Sequence, residues 1–205
     1  MLFSDTYRTI ESEAHGLFRD RGSRFIAIAI PVSSQEEIKS RLAGLRREYH
    51  DARHHCFAWM LAPDRQAWRI SDDGEPSGTA GKPILGQINS RELTNVLVVV
   101  IRYFGGTLLG VSGLINAYRT AAADALNNAR VVEKHVCQRW SVTFPYIAMN
   151  DVMKVLRDED CRQSEHAYSG SDVTVEILFR ASASQQITGR LGKIAALQMK
   201  WLSTE

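Results

Sequence analysis

The longest apolar run in the chain is VLVVVI, residues 96–101. It has the length of a strand and falls far short of the roughly 20 apolar residues that span a bilayer. It lies within TNVLVVVIRYF and is rich in β-branched residues, which pack well on a pleated surface. It is read as a central strand, around which the rest of the chain must supply a sheet. With 205 residues the chain has room for one large domain or two small ones, each with a real core. The N-terminal stretch MLFSDTYRTIESEAHGLF has no basic start followed by an apolar segment, so no signal peptide is expected. Cys56, Cys137 and Cys161 are odd in number and lack CxxC spacing, which points to a reduced, cytoplasmic protein. The net charge of +2 does not by itself announce a nucleic-acid binder, and there is no DNA-specific signal.

The remaining elements follow from patterning. RFIAIAIPV, 24–32, reads as a buried strand. SSQEEIKSRLAGLRREYH reads as a helix, with Ser34 and Glu37 as a capping box and Ile38, Leu42, Leu45 and Tyr49 on one face. ARHHCFAWML and RQAWRIS are strands joined through a turn at APDR. GKPILGQINSREL opens a helix with Pro83 in its first turn. LINAYRTAAADALNNA is a helix, with Ser112 as its expected cap. After residue 135 the order becomes β-α-β-β-α-β, the split βαβ pattern of ferredoxin-like domains. The expected division is 1–135 and 136–205, with no long linker between.

Two glycine-rich loops carry the chemistry. In SDDGEPSGTAGKPIL, 71–85, the carboxylates Asp72, Asp73 and Glu75 are hard oxygen ligands for a divalent ion, and equally they are ordinary turn residues. The loop lacks EF-hand spacing. Gly78, Thr79 and Gly81 precede a helix N-terminus, where free N–H groups favour an anion, and Lys82 stands beside them. GTAGKP is not a Walker motif, so nucleotide hydrolysis by that route is disfavoured. The second loop, RYFGGTLLGVSG, fails the dinucleotide fingerprint. Strand alternation sends Arg102 and Phe104 to one face and Tyr103 to the other. An arginine and an aromatic beside glycines suit RNA or a peptide, and equally suit a salt bridge and a core ring. On the strand carrying ARHHC, His54 and Cys56 share a face and His55 points away.

The segments SRFIAIAIPV, DARHHCFAW, SDDGEPSGTAGKPIL and VVVIRYFGGTLLGVSGLINAY, in this order, resemble the YigZ/IMPACT family. The resemblance to the N-terminal module runs from about residue 16 to 130, and the C-terminal reading is similar to the bacterial members. One departure is RGSRF, where the family often has a lysine before the serine. The resemblance implies an α+β protein. Its first domain would be an α/β sandwich like domain 2 of ribosomal protein S5, with helices on one side of the sheet. Its second would be ferredoxin-like. The pair looks like the last two domains of elongation factor G, which meet the ribosome. The expected function is a cytoplasmic, translation-associated accessory or regulatory factor that binds RNA, the ribosome or a ribosome-associated protein without catalysis. The expected surface comprises Arg53, His54, Asp72, Asp73, Glu75, Thr79, Lys82, Arg102, Tyr103, Gly105 and Gly106. No catalytic residue, cofactor, metal ion or membrane partner is assigned. The alternative is a metal-assisted hydrolase or phosphoryl-handling enzyme in which Asp72, Asp73, Glu75 and His54 converge on one ion.

Overall fold

The computed structural model describes residues 5–205. Residues 1–4, the start of the stretch read for a signal peptide, lie outside the described residues. The chain divides into two compact units, 7–134 and 135–205, the second also taking residues 5–6. The architecture is α+β.

The first unit runs β1 (Thr6–Ile10), β2 (Ala14–Asp20), β3 (Ser23–Pro31), α1 (Gln35–Glu48), β4 (His54–Leu61), β5 (Ala67–Ser71), α2 (Gly81–Ser90), β6 (Val96–Tyr103), α3 (Gly110–Asn128) and β7 (Val131–His135). Five strands form one antiparallel sheet in the order β2-β3-β6-β4-β5, with the apolar run of β6 at its centre. Val96 through Ile101 are fully buried on both sides of the strand. Val96, Val98 and Val100 pack with Ile84, Leu114 and Tyr118 of α2 and α3. Leu97, Val99 and Ile101 pack with Ile38, Leu42 and Leu45 of α1. The expectation of helices on one side is corrected here. A strand apolar at every position must be covered on both faces, and α1 supplies the second cover.

Local chemistry explains the helix ends. Ser34 takes an extended conformation and its hydroxyl accepts from the Glu37 N–H at 3.2 Å. Glu37 completes the box one residue early, accepting from the Ser33 N–H at 2.8 Å. Ser112 is not a cap: α3 begins at Gly110, and the hydroxyl falls inside its first turn. α3 lies close on β2, because Gly16 faces its backbone. A Cβ there would stand 2.3 Å from the Ala125 nitrogen.

The second unit contains β8 (Cys137–Pro145), α4 (Met149–Asp158), β9 (Arg162–Gln163), β10 (Ala167–Ser169), β11 (Asp172–Arg180), α5 (Ser184–Leu191) and β12 (Gln198–Thr204). The sheet order is β10-β11-β8-β12, with β9 also on β11, and the β-α-β-β-α-β expectation is met. Val142, Phe144, Val175 and Ile177 of the sheet meet Val152, Leu156, Ile187 and Leu191 of α4 and α5. Ser164 breaks β9 from β10 by accepting the Glu176 N–H on its hydroxyl. The Asp158-Glu159 end of α4 is held by Arg190, at 2.7 and 2.5 Å. No described helix is long and apolar enough to cross a membrane.

Candidate functional site

The 71–85 loop is anchored by its own carboxylates. Asp72 accepts from the N–H groups of Gly78 at 2.8 Å, Ala80 at 3.0 Å and Gly81 at 2.8 Å. Ala80, the residue at the cap position of α2, has no side chain to do this. The anion favoured at this helix start is therefore Asp72 itself, and the phosphate cradle expected around Gly78, Thr79 and Gly81 is already filled. Burial pushes the Asp72 carboxyl up, but the three N–H donors and Lys82 outweigh it and hold it below the usual carboxylate range.

Asp73 sits at φ 42°, a left-handed conformation costing about 1 kcal/mol for most residues. Three contacts hold it there. Its carboxylate accepts from the Arg46 guanidinium of α1 at 2.7 Å and from the His55 N–H at 2.7 Å. Its carbonyl lies 2.8 Å from His54 Nδ1. A carbonyl only accepts, so His54 carries its proton on Nδ1.

Glu75 is the hub of a buried polar cluster. Its Oε1 accepts from Arg102 Nη1 at 2.6 Å and from the Tyr118 hydroxyl at 2.8 Å. The two charged side chains are only 4% and 8% exposed. His54 Nε2 lies 4.0 Å from the same oxygen. Cys56 Sγ is 3.0 Å from the Asp72 carbonyl and 3.3 Å from the Tyr118 oxygen. Burial pushes the Cys56 thiol up to about 12. It is a protonated donor rather than a thiolate. Arg102 also lies over the rings of Phe25 and Phe104, at 5.5 and 5.6 Å, while its Nε has no partner among the described residues.

The two loops meet, joined by Glu75 and Arg102. The expected surface nevertheless divides. Glu75, Thr79 and Arg102 are buried and cannot touch a large partner, because they bind one another and the loop backbone. His54, Asp72 and Asp73 are half-buried and occupied. Arg53, Lys82, Gly105 and Gly106 are exposed. Beside them stand the apolar side chains Phe104, Leu108 and Val111, which the sequence reading did not place on this surface. Gly105 rests on the β2–β3 turn: its N–H donates to Ser23 Oγ at 3.1 Å, and a Cβ would fall 1.9 Å from the Gly22 carbonyl carbon. Tyr103 lies on the opposite face, as alternation required. It donates to Asp51 at 2.7 Å, and the Arg24 guanidinium stacks 4.5 Å from its ring centre.

The metal-enzyme alternative required the carboxylates to converge. They diverge: Asp72 turns to the α2 start, Asp73 to Arg46, Glu75 to Arg102. Among the described residues no group of three histidine, cysteine or carboxylate side chains is placed to hold an ion. Reading the sequence also missed Arg19, Arg21 and Arg24, which surround the β2–β3 turn. The signal was present in FRDRGSRF, where alternation flanks a left-handed Arg21-Gly22 pair.

Fold and site describe a two-unit α+β protein whose conspicuous loops brace an exposed edge. Residues 21–126 match the model of the Impact N-terminal domain. The chain is 32% identical over 185 residues to "IMPACT family member YigZ" of Escherichia coli (strain K12), covering 89% of this chain and 90% of that protein. It is 34% identical over 147 residues to "IMPACT family member YvyE" of Bacillus subtilis (strain 168), covering 72% and 68%. A solved structure, "Crystal structure of an hypothetical protein", superposes with a TM-score of 0.77 at 29% identity, covering 98% of this chain and 99% of that one. The chain belongs to the IMPACT family.

Proposed function

We propose that this protein is a cytoplasmic, translation-associated accessory factor that contacts the ribosome or its RNA along the joined edge of the two loops, and that it does so without catalysis. The observation that carries this reading is the Glu75–Arg102 pair. It fixes two segments far apart in sequence into one pre-ordered rim, and pre-ordering lowers the entropic cost of binding a large partner. The exposed members of the rim are Arg53, Lys82, Phe104, Gly105 and Gly106. They offer cations, a ring and close backbone approach, the groups that meet phosphate and stacked bases. The link to translation comes from the resemblance to the family.

Co-sedimentation of the full chain with purified ribosomes, in rising potassium chloride, tests the reading. The chain pellets with ribosomes at low salt and is released as salt rises, since phosphate contacts exchange for counterions. Failure to pellet at low salt, or pelleting that salt does not weaken, removes it.

A further inference from the structure

Among the described residues, five arginines of the first unit pair with a carboxylate, Arg8 with Glu92 being one. Arg41 pairs with Glu13, Arg46 with Asp73, Arg102 with Glu75 and Arg130 with Glu11. Arg19, Arg21 and Arg24 do not: no carboxylate lies within ion-pair distance of any of them among the described residues. All three line one open pocket of about 470 Å³ with Asp20, Gly22, Ser23 and Tyr103.

Their placement is set by register. Arg19 is directly opposite Arg24 across β2–β3, and Arg24 is opposite Tyr103 across β3–β6. Residues directly opposite share a face. The result is a row of two guanidinia and a phenol ring on three strands, with Arg21 in the adjoining turn. Like charges directly opposite destabilise a sheet, so the fold gains nothing from the Arg19–Arg24 pairing. Arg24 stacks on Tyr103, which holds the guanidinium plane in place while leaving its N–H edge free. The nearby carboxylate Asp51 already accepts the Tyr103 hydroxyl. Gly22 of this pocket touches Gly105, so the turn end of the row meets the glycine loop, while Arg24 and Tyr103 lie on the other face of the sheet from Phe104.

We infer that Arg19, Arg21 and Arg24 form a phosphate-binding row for an RNA strand, with Arg24 on Tyr103 as a flat platform for a base. This inference rests on the function proposed above and relocates its phosphate contacts. They lie on the β2–β3 turn, not at the α2 start, whose N–H groups Asp72 occupies, and not on Arg102, which Glu75 neutralises. Two fork-shaped donors on paired strands and a third in the turn between them suit the backbone of a nucleic acid, whose charges repeat along its length.

The test uses the full chain and a fluorescein-labelled mixed-sequence RNA oligonucleotide, with affinity measured across salt. The variants are Arg19→Ser/Arg21→Ser/Arg24→Ser and, as a control on the far edge strand β5, Arg69→Ser. The triple variant binds roughly 10-fold or more weakly at low salt, and the log–log salt slope shrinks by about 2, three single-strand phosphate contacts being lost. Arg69→Ser stays within about 2-fold, because it removes one exposed charge at the sheet edge opposite the row. The melting temperature of the triple variant is unchanged or higher, because a like-charge pair is removed; a structural role for these arginines would lower it. If the wild type binds RNA and the triple variant matches it in affinity and slope, the inference is overturned and the proposed function stands. If the wild type sediments with ribosomes but binds no RNA at low salt, the partner is a ribosomal protein and the inference falls. If it binds neither, both fall.

Discussion

Replacing Glu75 with alanine is the most informative single perturbation of the first unit. The substitution leaves the Arg102 guanidinium charged and almost wholly buried, with Nε already unpartnered. It also removes the acceptor of the buried Tyr118 hydroxyl. Breaking a buried ion pair from one side costs about 3–5 kcal/mol, roughly a fifth or more of the stability of a typical domain. Replacing both partners by apolar side chains of similar volume, Glu75→Leu with Arg102→Met, restores most of it, because no buried charge remains. The assay is native-state hydrogen exchange of the β6 amides, which report the opening of this unit without assuming that the whole chain unfolds in one step. A loss below about 1 kcal/mol in Glu75→Ala would show that the pair does not brace the loops, since even exposed pairs reach that value. A double variant no better than the single one would refute the same reasoning.

Three further outcomes follow from the same geometry. Asp72 and Asp73 have folded pKa values below their unfolded ones, so the stability they contribute is complete above about pH 4 and is lost as pH falls through the folded values; the Asp72→Asn/Asp73→Asn variant flattens the acid limb of a melting-temperature profile, and an unchanged limb contradicts the assignment. Cys56, raised to about 12, resists iodoacetamide in the native protein at pH 8, while half-buried Cys137 labels first, as peptide mass mapping would read. Gly105→Ala forces a Cβ into the Gly22 backbone and lowers stability by about 1–3 kcal/mol in thermal unfolding; a neutral substitution would mean that the turn and the glycine loop do not touch.

What could be seen in the sequence was local. β6 announces itself because six consecutive apolar residues leave no other structure, and α1 because its cap and its stripe lie within a few residues of each other. The separation of Arg102 from Tyr103 follows from strand alternation alone. The parts that escaped depend on distant partners. Asp72 reads as a metal ligand or a turn residue until α2 is seen to begin nine residues later with no side-chain cap of its own. Arg102 stays open between a partner contact and a salt bridge until the 71–85 loop delivers Glu75 to it. β2 was missed because an edge strand carries polar residues on its open face, as AHGLFRD does, and shows no apolar run. The arginines at its turn went unread for the same reason.

Ultraviolet cross-linking of the full chain to ribosomal RNA at low salt, followed by mass spectrometry of the attached peptides, tests most directly where the partner lies. The account predicts nucleotide-modified peptides from residues 19–24 and 103–106, disappearing as salt is raised. Efficient cross-links confined to other parts of the chain, or none in a preparation that sediments with ribosomes, would contradict it.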